Sequence, residues 1–311
     1  MKRFQKSAAT AANNSSVGRS KPVSRGIVIV LSAALWLAPA VGIAESIEGF
    51  VRLATAADGS PSSLDVAVAG FKNTEGARVD LIGAVHVGDA SYFDALERRF
   101  PNYDKVLFEL VGEPEALTAP PEARAGGGGG ALSLIGLMQG GMKDALGLSY
   151  QLEEIDYSAT NFVHADLTAQ EFQDSMRSRN ESFVGMLFRA WVLGMAGQSG
   201  VRPGEAEADL LKILFADDRQ LALKRMLAKQ LAEQTDVLEM LSGEDGSTLI
   251  EVRNQRALDV LREQLEAGYK RIGIFYGAGH LPDLAERLEA DFGMSSVGVE
   301  WVPAWNLRSA K

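Results

Sequence analysis

The sequence predicts an α/β fold: a mainly parallel sheet flanked by helices, with a large helical insertion in the middle. Short β-branched runs bounded by Gly, Asn and Asp alternate with helix-spaced segments at both ends of the chain. A stretch rich in Pro and Gly at 112–130 interrupts that alternation, and helical spacing dominates the residues after it. The 311 residues, 46% of them hydrophobic, are enough for one sizeable core.

Taken in order, the first element is not part of the fold. Residues 1–44 carry Lys2, Arg3, Lys6, Arg19, Lys21 and Arg25 and no acid, followed by the apolar run Gly26–Val41 and small residues at Gly42 and Ala44. A basic start, a short apolar core and a small-residue exit are the features of a secretory signal peptide, with cleavage expected after Ala44 or Gly42. The alternative is an uncleaved N-terminal anchor. The apolar run is shorter than the ~20 residues that span a bilayer. The remainder, 45–311, reads as a single domain.

In that domain Leu64–Phe71 and Ala77–Val87 read as strands, Ser91–Phe100 as a helix with apolar residues at 92, 93, 96 and 100, and Lys105–Val111 as a further strand. Ala77–Val111 then forms one βαβ unit whose two strands are expected to be parallel neighbours. Pro114, Pro120, Pro121 and the five glycines 126–130 suit a flexible linker; no GK[ST] comes after them to make a phosphate loop. Residues 131–242 are expected to be a helical insertion, with Thr168 and Glu171 forming a capping box ahead of Ala169. Within it Ser182–Ala196 is strongly apolar. It reads as a buried core helix or as one that touches membrane or a greasy ligand, and 15 residues are too few to span a bilayer. The chain then returns to α/β. A second capping box (Thr248, Glu251) opens a helix to Ala267 with Gly268 beyond it, then come strand Arg271–Tyr276, helix Pro282–Ala290 and strand Ser296–Val302.

Composition excludes several chemistries. No cysteine is present, so disulfides, thiolate metal sites and thiol nucleophiles are absent, and a metal could be held only by nitrogen and oxygen. Six of the 31 basic residues lie in the leader, leaving 25 against 41 acidic ones, a net charge of −16. Such a surface repels phosphate backbones, so no nucleic-acid partner is expected. An acidic, exported, cysteine-free chain suits a bacterial periplasm.

Of the three histidines, two share a setting. Gly83-Ala-Val-His86 and Gly277-Ala-Gly-His280 each end an apolar strand and precede a helix. In open parallel sheets ligands bind beyond the carboxyl ends of strands, and glycine three residues earlier is expected to let the chain turn. Two neutral imidazoles meeting there make a divalent-metal clamp. Glu109, in the apolar run Val106–Val111, is a carboxylate that burial penalises unless it is paired or metal-bound. Taken alone it reads as a strand-end glutamate satisfied by backbone or arginine; beside His86 it reads as a third metal ligand. Asn254 shares the inward face of its helix with Ile250, Ala257, Leu258, Leu261 and Leu265, and Arg253 flanks it. Either the pair is a structural amide with a surface ion pair, or it orients substrate or a ligating carboxylate. His164 and Asp166, just before the Thr168 capping box, read as loop or strand-end residues, with ligation as the alternative.

At these residues the chain resembles the TraB/PrgY/GumN family, which includes the Tiki metalloproteases and is related more distantly to erythromycin-esterase-like and ChaN-like proteins. The matching pieces are LIGAVHVGDASYFDALERRF, YDKVLFELVG, LIEVRNQRALDVL and IGIFYGAGHLPDL, covering roughly Val79–Gly112 and Leu249–Leu284. The resemblance implies that His86, Glu109, Arg253, Asn254 and His280 line an active site. It also implies an α/β fold with a helical insert and, as in the Tiki members, metal-dependent hydrolysis supported by manganese or cobalt; zinc suits the same donors. The middle of the chain, 131–242, departs from the pattern, and substrate choice is expected to lie there.

The expected function is therefore an exported metal-dependent hydrolase acting on a peptide or a small-molecule substrate. His86, Glu109 and His280 would hold the metal, Glu109 would alternatively be the base, and Arg253 and Asn254 would stabilise the oxyanion. The alternative is a non-catalytic carrier of haem, metal or hydrophobic peptide, suggested by the 182–196 run and Met138, Met142, Met176, Met186 and Met195, which are more often core filler. A nicotinamide dehydrogenase built on Gly277-Ala-Gly lacks the third glycine of the fingerprint, and export removes its cofactor supply.

Overall fold

The computed structural model describes residues 50–118, 146–179, 215–233 and 247–309, together with Glu181 and Ile213. The expected signal peptide, the glycine run 126–130 and the apolar run 182–196 lie outside the described residues. Among the described residues no helix is long and apolar enough to cross a membrane.

One seven-stranded mixed sheet organises the chain. Strands β1 (Val51–Thr55), β2 (Pro61–Lys72) and β9 (Ser295–Asn306) form its antiparallel side. Strand β2 carries β9 along one edge, and β1 followed by β3 (Arg78–Ala84) along the other. The parallel side runs β3, β8 (Arg271–Gly277), β5 (Lys105–Phe108) and β7 (Phe162–His164).

Two sequence expectations are corrected by this order. Strands β3 and β5 do belong to one βαβ unit through α1 (Ala90–Arg99), but they are not neighbours, because β8 from the far end of the chain lies between them. The segment expected to be a helical insertion also supplies β7 to this sheet, along with β6 (Ser149–Tyr150), which pairs with β4 (Val87–Gly88). Helices within it are α2 (Gln151–Glu154), α3 (Ala169–Ser178) and α4 (Arg219–Glu233).

Helices cover both faces of the sheet. On one face Tyr92, Phe93 and Leu96 of α1 pack with Ile82, Val106, Phe108 and Phe275. On the other, Ala257, Leu258 and Leu261 of α5 (Arg253–Glu266) and Leu281, Leu284 and Leu288 of α6 (Leu281–Phe292) cover Val79, Leu81, Leu107, Ile272 and Ile274. Each of these fully buried leucines contributes about 1.5–3 kcal/mol of transfer free energy. The residues facing the two layers alternate along β3 and β8, as a strand's two-residue period requires.

Local signals act much as expected, with adjustments. Thr168 and Glu171 form the capping box ahead of α3. At α5 the cap is Ser247 rather than Thr248: its side chain accepts from Ile250 N, while Glu251 accepts from the Ser247 N–H. The first turn, Thr248–Val252, is π-helical and leads directly into Arg253. Gly83 does not make a turn. It lies inside β3, where a Cβ would stand 2.3 Å from Val66 Cγ1 and 3.1 Å from the Ala67 carbonyl, so close strand packing is what requires glycine there.

Candidate active site

Because β3, β8, β5 and β7 are parallel, their carboxyl ends share one rim. Each strand is followed within one to three residues by a polar side chain that is buried: His86 after β3, His280 after β8, Glu109 after β5 and Asp166 after β7. The amino end of α5 delivers Arg253 and Asn254 to the same rim, since α5 runs back against β8. The convergence expected of His86, Glu109, Arg253, Asn254 and His280 is thus present, and Asp166 joins them.

Arg253 is the hub. Its side chain is 0% exposed, and all five of its N–H groups have acceptors. Nε donates to Asp166 Oδ1 (3.0 Å) and Nη2 to Asp166 Oδ2 (2.6 Å), a bidentate fork. Nη2 also donates to Glu109 Oε1 (2.6 Å). Nη1 donates to the Leu249 carbonyl (3.4 Å) and to His280 Nε2 (3.3 Å). Burial disfavours the guanidinium, but Asp166 and Glu109 outweigh it and raise its pKa further.

Glu109 is an obligate carboxylate. Burial alone would raise its pKa, yet Arg253, the two imidazoles and the Gly277 N–H (2.6 Å from Oε2) hold it far below the usual range. So weak a base is poorly suited to the water-activating role that the sequence left open to it. Gly277, at the end of β8, thereby clips Glu109, just past β5, in place.

Each imidazole is oriented by a carboxamide. Asn254 Oδ1 accepts from His280 Nδ1 (2.7 Å), while its Nδ2 donates to Asp283 Oδ2 (2.7 Å) and to the His280 carbonyl (3.1 Å). Gln151 Oε1 faces His86 Nδ1 (3.0 Å). Network logic therefore places the proton on Nδ1 and a lone pair on Nε2 of His280, whose amide partner faces only acceptors, and gives His86 the same arrangement as long as Gln151 Nε2 donates to the Tyr157 hydroxyl. Burial, with Arg253 adding to it, lowers the His280 pKa to about 4, and burial lowers that of His86. Both rings are neutral near pH 7.

The two rings differ in what meets Nε2. That of His280 receives Arg253 Nη1–H, whereas that of His86 has no partner among the described residues. The loop carrying His86 is pinned on several sides. Gln151 N donates to the His86 carbonyl (2.9 Å), Trp305 Nε1 to the Val87 carbonyl (2.7 Å), and Asp89 N to the Ala304 carbonyl (2.9 Å). Lys224 of α4 pairs with Asp89 at 2.7 Å. Fixed charges in the cluster are those of Glu109, Asp166 and Arg253, a net of about −1 with neutral imidazoles.

These donors do not fit a metal ion as they stand. A ligand bond of about 2.0–2.2 Å to His280 Nε2 or Glu109 Oε1 would set the ion against the guanidinium that already occupies both atoms. A divalent ion about 3 Å from that charge is repelled by ~11 kcal/mol at an effective dielectric of 20. Among the described residues no group of three or more His, Asp or Glu side chains is arranged to hold an ion. The oxyanion role expected of Arg253 and Asn254 meets a similar objection. All their donors are engaged within the protein, so they act as positioning residues.

His164 supports the rim: its Nε2 donates to the Leu110 carbonyl (2.7 Å) and its ring packs on Phe108. Sequence reasoning left Asp166 as an undifferentiated strand-end acid. Its place just ahead of a capping box is the one signal in the sequence; its burial two residues past β7 is seen only in the structure. Gln151 and Tyr157, whose hydroxyl accepts from Gln151 Nε2 (2.7 Å), were missed, and nothing in their sequence surroundings marks them. Compared with protein-family models, curated proteins and solved structures, the chain matches none, so the family resemblance rests on its motifs alone.

Proposed function

We propose that this chain is an exported hydrolase in which His86 is the general base that activates water against a peptide, ester or related carbonyl substrate. The observation that supports this best is the Nε2 of His86, which has no partner among the described residues, beside a cluster whose other polar atoms are largely engaged. Nε2 takes a proton from water, the hydroxide adds to the carbonyl carbon, the bond to the leaving group breaks, and Nε2 returns its proton to that group. Arg253, Asp166 and Asn254 hold Glu109 and His280 rigid, giving the reaction a fixed charged floor.

Metal-dependent hydrolysis is the second reading. It is favoured by the 3.7 Å separation of His280 Nε2 and Glu109 Oε1, a spacing that two ligands of one ion can share, and it needs Arg253 to withdraw. The test is hydrolysis of a chromogenic ester panel and a peptide library by wild type and His86→Ala, with and without chelator. The expected result is a fall of about 10²–10⁴-fold in kcat for the variant and no effect of chelator. Activity lost to chelator and restored by manganese or cobalt would replace this reading with the metal one. Absence of turnover, with a Soret band on haem titration or retention of a hydrophobic peptide, would replace both with the carrier reading.

A further inference from the structure

The geometry points to Tyr157 as a positioning residue that, through Gln151, fixes the proton of His86 on Nδ1 and so leaves Nε2 bare. The role of His86 as base rests on the reading above; the proton's location does not.

The two histidine–carboxamide pairs are not equivalent. Asn254 has no choice of orientation, because its Nδ2 faces a carboxylate and a carbonyl, both of which only accept. Its oxygen must face His280 Nδ1, which must carry the proton. Among the described residues Gln151 has only the Tyr157 hydroxyl at its far end, and a hydroxyl can accept or donate. When Tyr157 accepts, Gln151 Oε1 faces His86 and the proton sits on Nδ1. If the hydroxyl donated instead, the amide would reverse, His86 Nδ1 would have to accept, and the proton would move to Nε2, removing the base.

The structure holds the first setting, with Gln151 Nε2 toward the Tyr157 hydroxyl and Oε1 toward His86, and Tyr157 is itself held in place. Its ring is wedged between Phe108 (5.1 Å between centroids) and Phe162 (5.7 Å, edge-on), the former adjacent to Glu109. Burial keeps the phenol protonated.

The experiment is long-range ¹H–¹⁵N NMR of the full chain, which has only three histidines to assign, using His→Gln variants for assignment. Wild type is expected to show Nδ1–H for both His86 and His280. Tyr157→Phe is expected to shift the His86 tautomer ratio toward Nε2–H by roughly five- to tenfold, about the worth of one hydrogen bond, with His280 unmoved. Adding Gln151→Glu, whose carboxylate can only accept, is expected to restore Nδ1–H without the hydroxyl. A wild-type His86 protonated on Nε2 overturns the inference, as does a folded Tyr157→Phe with an unchanged ratio. Since no turnover is needed, failure of the hydrolase reading would leave these spectra as predicted, and failure here would leave turnover to be judged separately.

Discussion

Replacing Arg253 with methionine keeps the apolar stem and removes the cation that two buried carboxylates share at 2.6 Å. Breaking a buried pair from one side costs about 3–5 kcal/mol, because the partner is left charged and unsolvated. Two partners are stranded here, so the upper part of that range is expected at pH 7, a large share of the 5–15 kcal/mol typical of a domain. The sign of the pH dependence makes the test specific. In the variant burial at Glu109 is no longer offset by Arg253, so the folded state gains proton affinity there and stability rises as pH falls from 7 to 5. In wild type the same interval lowers stability, since the depressed imidazoles stay neutral in the fold while the unfolded chain takes up protons. Urea denaturation followed by circular dichroism at pH 7 and pH 5 measures both effects. A loss below about 1 kcal/mol, or a variant whose stability falls with acid as wild type's does, would refute the claim that Arg253 neutralises Glu109 and Asp166.

Three further outcomes are expected. His280 titrates near 6.5 when unfolded and at about 4 when folded, so its contribution is intact above pH 6.5 and is lost as pH falls toward 4. That loss amounts to about 3 kcal/mol, and His280→Gln should flatten it; an unflattened slope would assign the acid sensitivity elsewhere. Gly83→Ala should cost about 1–3 kcal/mol by overpacking β3 against β2, read as a lower urea midpoint, and an unchanged midpoint would contradict the close approach at Val66. Leu258→Ala should cost about 2–5 kcal/mol by opening a cavity between α5 and the sheet, and a cost under 1 kcal/mol would show that this face is not close-packed.

Much of the fold was legible because periodicity and turn chemistry are local. The runs expected as strands at 64–71, 77–87, 105–111 and 271–276 fall on β2, β3, β5 and β8, although β3 ends at Ala84 and β5 at Phe108, and Thr168 caps α3. Strand order was not legible. Nothing in β3, α1 or β5 announces that β8 will lie between β3 and β5, since that depends on contacts across most of the chain. Strand β7 was hidden by its brevity, three residues being too few to show a period. The two GxxH motifs located the rim but misled on the reason for the first glycine, because sequence does not report what an adjacent strand brings within 2.3 Å. The choice between a metal and a guanidinium at the centre was also beyond spacing alone. Arg253 and Asn254 were placed correctly on the helix, but only the positions of Asp166 and Asp283 reveal that their donors face inward to protein. Gln151 and Tyr157 lie on a one-turn helix and the loop after it, where polar residues are ordinary.

The claim on which the mechanism turns is that the site's resident cation is the Arg253 side chain. Metal analysis by inductively coupled plasma mass spectrometry, on the full chain purified without chelator and dialysed against manganese, cobalt and zinc, tests it most directly. Far less than one equivalent of any of the three is expected, with no difference between wild type and the His86→Ala, His280→Ala double variant. One equivalent in wild type that disappears in the double variant would contradict that claim.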